Sequence, residues 1–294
     1  MHMKTVLIAI AGAVALGAPV HAATDWAAVG QALGKTGSAQ AGGVYRVGLP
    51  RSDLHVTLDG VALKPALALG SWLAFRDMGD TGMVMGDLVL TQDEVNPVMS
   101  VLEANGIEIT ALHNHLLRSS PATMYLHVDG HGDPVKLATA LHAALARTKT
   151  PLGAASPAAA PAPLALDTAM LDKTLGAKGT VNGGVYQFSI PRAEPPRSGG
   201  MAIPPSMGSA IAINFQPTDG GRVATTGDFV LTADEVNPVI RALRTSGIEV
   251  TAIHNHMLDD EPRLFFMHFW AHDDAAKLAK GLRSAVDQVK VGAR

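Results

Sequence analysis

A stretch of 32 residues, GDLVLTQDEVNPVMSVLEANGIEITALHNHLL from Gly86 to Leu117, returns as GDFVLTADEVNPVIRALRTSGIEVTAIHNHML from Gly227 to Leu258, identical at 21 positions with an offset of 141. Chance does not produce such a match, so the chain carries two copies of one unit. The copy extends upstream through GGVYRVGLPR (Gly42 to Arg51) and GGVYQFSIPR (Gly183 to Arg192), and downstream to His127 and His268. Units of about 125 residues are too long for a solenoid repeat and have the size of a domain. Between them runs TKTPLGAASPAAAPAPLALD, Thr148 to Asp167, whose alanine and proline suit an extended, semi-rigid linker. The expected organisation is a repeat domain at 23–147, the linker at 148–167 and a second repeat domain at 168–294.

Residues 1–22 place Lys4 ahead of an apolar run, Thr5 to Leu16, and close on Val20-His21-Ala22. That is the pattern of a secretory signal peptide, and it predicts a periplasmic or secreted protein. The apolar run is shorter than the roughly 20 residues of a membrane span, and no later segment supplies one. The sequence contains no cysteine, which excludes disulfides, thiolate metal ligands and a lipid anchor on cysteine. About 270 remaining residues bury adequate cores without staples. A formal charge of −3, with both signs interspersed, offers no basic stripe for nucleic acid.

Within the first unit VYRVGL, HVTLDGV, SWLAFRD and MVMGDLVL suit strands, Gln92 to Asn105 a helix, ITALHNHLL with MYLHVDG a hairpin, and Pro134 to Arg147 a closing helix. Thr91 with Glu94, and Thr232 with Glu235, form the Thr-x-x-Glu capping box, and Gly106 and Gly247 close the helices they open. The expected fold class is α+β: two tandem duplicated domains, each a mainly antiparallel sheet with a β-α-β-β-α core and helices packed on one face.

The triplet His113-Asn114-His115 and its copy His254-Asn255-His256 carry the chemistry. On a strand the two histidines of a triplet share a face, about 7 Å apart. Turns centred on Ser120-Pro121 and Glu261-Pro262 would set His127 opposite His113 and His268 opposite His254, so three imidazoles converge in each unit. Such a shell suits Zn²⁺, with Cu as the alternative. His131 and His272, four residues further on, are candidate fourth ligands or partners of the shell. Every one of these histidines is matched in its copy while 11 of the 32 block positions have diverged. Isolated His55 and His142 read as packing residues.

Asp129 corresponds to Trp270 and Tyr125 to Phe266, so a carboxylate on the metal-facing side occurs only in the first unit. Glu94 and Glu235 are accounted for by the capping boxes, and Asp87 and Asp228, each after a glycine, by turns at strand entries. The literal His-Asn-His does not make an HNH nuclease, whose residues are spread over a ββα-metal fold. No Gly-x-Ser-x-Gly elbow, phosphate-binding glycine loop or His-Glu-x-x-His is present.

Through EVNPV and ALHNHLL, with EVNPVI and AIHNHML in the copy, the chain resembles the LppY/LpqO family of bacterial secreted proteins and lipoproteins, the domain of unknown function 1259. The resemblance covers nearly all of the chain beyond the leader and implies export and a duplicated architecture, not a reaction. Lacking the lipobox cysteine of the lipoprotein members, this chain is expected to be free rather than tethered. The leading expectation is a periplasmic transition-metal-binding protein, with His113, His115 and His127 ligating in one unit and His254, His256 and His268 in the other. Whether the two sets stay separate or join at the domain interface is left open. The alternatives are a metal-dependent hydrolase with a metal-bound water and Asp129 or Glu94 as base, and a metal-free module binding a small ligand or sensing pH.

Overall fold

The computed structural model describes residues 23–79, 81–153 and 163–292. The leader and the middle of the expected linker lie outside the described residues. The first domain runs α1 (Trp26–Leu33), β1 (Ser38–Gln40), β2 (Val44–Pro50), β3 (Thr57–Leu58), β4 (Val61–Ala62), α2 (Pro65–Ala68), β5 (Gly70–Asp77), β6 (Gly82–Thr91), α3 (Gln92–Ala104), β7 (Glu108–His113), β8 (Thr123–Gly132) and α4 (Pro134–Leu145). The second repeats it as α5 (Thr168–Leu175), β9 (Thr180–Asn182), β10 (Val185–Pro191), β11 (Arg197–Ser198), β12 (Met201–Ala202), β13 (Ala210–Pro217), β14 (Val223–Leu231), α6 (Ala233–Thr245), β15 (Glu249–His254), β16 (Asp260–Glu261), β17 (Phe265–Asp273) and α7 (Ala275–Val286).

Each domain is one six-stranded antiparallel sheet, in the orders β1-β2-β5-β6-β8-β7 and β9-β10-β13-β14-β17-β15. The α+β class with a β-α-β-β-α core is therefore present twice. The capping boxes form as the sequence predicts: Thr91 N–H donates to Glu94 at 2.9 Å and Thr232 N–H to Glu235 at 2.8 Å. Along β8, Leu126 and Val128 turn toward α3 and α4 and join Val98, Leu102, Leu137 and Leu141 in one core. Tyr125, His127 and Asp129 alternate with them and so occupy the face without helices.

The helix-free faces of the two sheets bury each other. Val44, Ala74, Met83 and Met85 of the first domain belong to the second domain's core, and a smaller cluster joins Leu67, Val89 and Tyr125 to Val185, Ala224 and Trp270. This is why β6 reads as a nearly unbroken apolar run: it is covered on both sides.

Each domain also sends an arm over the other. Residues 51–69 carry β3, β4 and α2, with Lys64 N–H donating to Gln216 at 2.8 Å and Gln187 donating to the Ala66 carbonyl at 2.7 Å. Residues 192–209 return the embrace: Arg76 donates to the Ala202 carbonyl at 2.7 Å, and Gly208 sits where any Cβ would come within 3.0 Å of the Trp72 indole. HVTLDGV, expected as one strand, is thus a two-residue hairpin within an arm. Asp59 (φ 48°) and Gly60 (φ 81°) are both left-handed, the geometry of a tight two-residue turn.

Candidate metal centre

The hairpin register differs from the expected one. Tyr125, not His127, stands opposite His113, and Ala111 stands opposite His127; Phe266 stands opposite His254, and Ala252 opposite His268. The cause is the connection, which is no tight turn: β7 ends at His113, β8 begins at Thr123, and Ser120 bridges to Thr57 of the arm between them. A shift of two residues preserves the face, so His113 and His127 still look the same way. His115 and His256 have left their strands, and their rings fold back to 4.9 Å from His113 and His254.

The two sets of histidines meet. His113 stacks on His254 with ring centroids 3.4 Å apart, His115 on His268 at 3.6 Å, and His127 on His256 at 3.8 Å, each pair spanning the domains. Tyr125 covers the outer face of His115 at 3.3 Å, and Phe266 that of His256 at 3.4 Å. Asp87 on β6 lies 4.0 Å from both His115 and His127, and Asp228 on β14 lies 3.6 Å from His256 and 3.9 Å from His268.

Their donor atoms converge within 4.8 Å in four overlapping groups: His113, His115, His254 and His268; His127, His254 and His256; Asp87, His115 and His127; Asp228, His256 and His268. These buried clusters could hold a metal ion.

Backbone carbonyls hold one ring nitrogen of several of these histidines, as they commonly do for imidazoles that ligate metals. His268 Nδ1–H donates to the Gly227 carbonyl at 2.9 Å, and His127 makes the matching bond to Gly86. His254 Nδ1–H donates to the Asn255 carbonyl at 3.2 Å. The Nε2 lone pairs of His254 and His268 are then left facing one another at 2.8 Å. Both nitrogens of His113, Nε2 of His115, His127 and His256, and one carboxylate oxygen each of Asp87 and Asp228 are buried with no hydrogen-bond partner.

Electrostatics set the protonation. Burial pushes all six imidazoles below their ordinary range, His254 to about 4 and His268 to about 3, and neighbouring imidazoles add to the effect at His113, His115, His127, His256 and His268. Burial pushes Asp87 up to about 8 against the pull of the Arg46 guanidinium, and burial, with the Asp87 charge added, raises Asp228 well above its ordinary range. The rings are therefore neutral at pH 7, which is the form that ligates metals.

Two expected ligands do not join. His131 is half exposed, with Nε2 3.1 Å from Asp129, and His272 Nε2 hydrogen-bonds Thr218 Oγ1 at 2.8 Å. Four strand residues separate each from its shell histidine, about 13 Å, which is beyond ligand reach. Glu94 is occupied by Arg51 at 2.8 and 3.1 Å and by the Thr91 and Lys149 N–H groups, so it sits at a helix start and not at the centre. Although burial pushes Glu94 up, these donors outweigh it and hold the carboxyl below its ordinary range. Asp129 is on the correct face but two residues beyond His127. There burial, with the charges of Glu108 and Asp259 added, raises it against the pull of His131.

Asp87 and Asp228 are the residues that sequence reasoning assigned elsewhere. They are not turn residues: each lies mid-strand, paired with His127 and His268 respectively. The available signal was a carboxylate kept in both copies of an otherwise apolar strand.

Family comparison agrees with the duplication. The profile described as Domain of Unknown Function (DUF1259) matches residues 27–147 and again 169–288. The chain belongs to this family. Each DUF1259 domain contributes three histidines and one aspartate to the shared cluster. No curated protein matches the chain. Among solved structures, a trimeric bacterial microcompartment shell protein, PduB, and EtuB from Clostridium kluyveri each align over 86% of this chain and 89% of their own, at 12% identity and a TM-score of 0.21. A score that low carries no argument about this fold.

Proposed function

We propose that this is an exported metal-binding protein whose two DUF1259 domains together build one transition-metal centre, for zinc or copper, from His113, His115, His127, His254, His256, His268, Asp87 and Asp228. One observation carries the reading. His254 and His268 spend their Nδ1 protons on backbone carbonyls and bring their Nε2 lone pairs to 2.8 Å. Two lone pairs at that distance repel unless a cation lies against both, and ligand nitrogens around tetrahedral zinc stand about 3.3 Å apart.

Neutral imidazoles with carboxylates suit zinc or copper. Eight donors exceed the four that zinc takes, so the centre has donors for two ions. The leader-like residues 1–22 support export, where no cysteine competes for the metal. The reading stops at binding, because Glu94 is held by Arg51 and Asp129 stands in a separate cavity beside His131.

The test is elemental analysis of protein purified from the periplasm without a histidine tag, beside the His113→Ala/His254→Ala variant. The expected result is about one to two equivalents of zinc or copper, absent from the variant. No metal in the wild type, and none taken up on titration with Zn²⁺ or Cu²⁺, would leave the metal-free ligand-binding reading in its place.

A further inference from the structure

The pseudo-two-fold symmetry breaks at one pair of equivalent places. Aligned on their hairpin turns the arms match at an offset of 140, so Asp59 corresponds to Gly199; at 141 Glu108, Arg118 and Asp129 correspond to Glu249, Asp259 and Trp270. At one end Arg118 forks onto Asp59 at 3.0 and 2.8 Å and reaches Glu249 at 2.9 Å, while Trp270 Nε1–H donates to Asp59 at 3.1 Å. A cation stands between the two carboxylates there, and the indole packs against one of them. At the other end an aspartate replaces both the arginine and the tryptophan.

A cavity of about 90 Å³ results, lined by Glu108, Asp129, His131 and Asp259, with Met83 and Met257 among the rest. No lysine or arginine lines it. Asp129 is only 8% exposed. Its Oδ1 lies 3.1 Å from His131 Nε2, yet no hydrogen bond is directed at it. The volume equals about three waters, enough for an ion with part of its hydration shell.

The cavity lies along β8 from the metal centre, although none of the eight donors lines it. Asp129 follows His127 by two residues on the same face of β8, about 7 Å along the strand. Met257 is the neighbour of His256, and His127 and His256 are a stacked pair. The equivalent approach to His115 and His268 is the end that Trp270 and Arg118 close.

We propose that this cavity is a second cation site, and that a divalent transition-metal ion passes through it to the histidine centre from one side of the molecule. The passage rests on the metal-binding reading above; the cation site does not.

The experiment is Co²⁺ binding to the full chain, followed by calorimetry for stoichiometry and by stopped-flow visible absorption for loading of the histidines. Asp129→Asn/Asp259→Asn should lose a weaker equivalent, keep the tight equivalents and load them at least about tenfold more slowly. Asp129→Trp/Asp259→Arg, which places the indole and the guanidinium of the closed end in the cavity, should do the same. His113→Ala/His254→Ala should lose the tight equivalents and keep the weaker one. Wild-type rates and wild-type weak binding in both aspartate variants would overturn the proposal. A wild-type protein with the weaker equivalent but no tight one would leave the cation site standing and remove both the passage and the centre it feeds.

Discussion

His113 and His254 lie face to face with ring centroids 3.4 Å apart, one from each domain. The pair makes the centre a joint possession, since each ring lies within reach of the other domain's ligands as well as its own. His113→Ala alone should therefore remove nearly as much bound metal as His113→Ala/His254→Ala, and the two single losses should sum to well over the double loss. Metal content of the three variants checks this; two independent half-losses would mean separate sites.

Acid should destabilise the metal-free protein. Unfolded imidazoles titrate near 6.5, whereas folded His254 and His268 are drawn to about 4 and about 3. As pH falls from about 6.5 toward these values, the unfolded chain takes up protons that the folded chain refuses, and stability falls. Asp87 opposes this: at about 8 in the fold against an ordinary 3.8, it holds a proton that the unfolded chain lacks, and its contribution is lost as pH rises through that window. Six imidazoles outnumber two carboxylates, so the net effect below about pH 6.5 is a loss. The Tm of chelator-treated protein should drop by several degrees between about pH 7 and about pH 5. A flat profile would contradict the dry packing of the rings.

Gly227 holds the carbonyl that orients His268, and it has no room for a side chain. A Cβ there would meet the Ala212 carbonyl oxygen of the neighbouring strand at 1.9 Å. Its counterpart Gly86 would meet the end of the Leu73 side chain at 2.5 Å and the Trp72 carbonyl oxygen at 2.9 Å. Gly227→Ala should cost about 3 kcal/mol in urea denaturation and weaken metal binding, with Gly86→Ala the milder of the two.

Glu94 should prove structural. Its carboxylate is forked on Arg51, whose side chain is wholly buried, and receives two backbone N–H groups. Glu94→Ala removes the capping box and one of the two carboxylates on Arg51, which keeps its fork on Asp53 at 2.9 and 2.8 Å, and should cost about 2 kcal/mol while leaving metal content unchanged. Loss of metal at unchanged stability would return Glu94 to the site.

Local signals are the legible part of this fold. The capping boxes, the apolar alternation of β8 and the apolar run of β6 depend on neighbours in sequence, and the structure has helix and strands at those places. HVTLDGV misleads because its alternation outweighs the Asp59-Gly60 turn signal. The register is off by two because a connection of nine residues, pinned to the arm at Thr57, replaces the assumed tight turn. Histidine parity survives that shift. What periodicity cannot carry is which sheet face meets which, so the union of the two histidine sets is read only from the packing. Asp87 and Asp228 are hidden by their preceding glycines, which look like turns but serve as space for close strand packing.

In a pair of identical subunits, any change at one end of such an assembly is forced on the other. Joining the copies in a single chain lifts that constraint. One end can keep Trp270 and Arg118 as its seal, while the other trades both positions for Asp129 and Asp259. The duplication thus gives the molecule a front and a back, a polarity that two-fold related subunits around a shared centre could not possess.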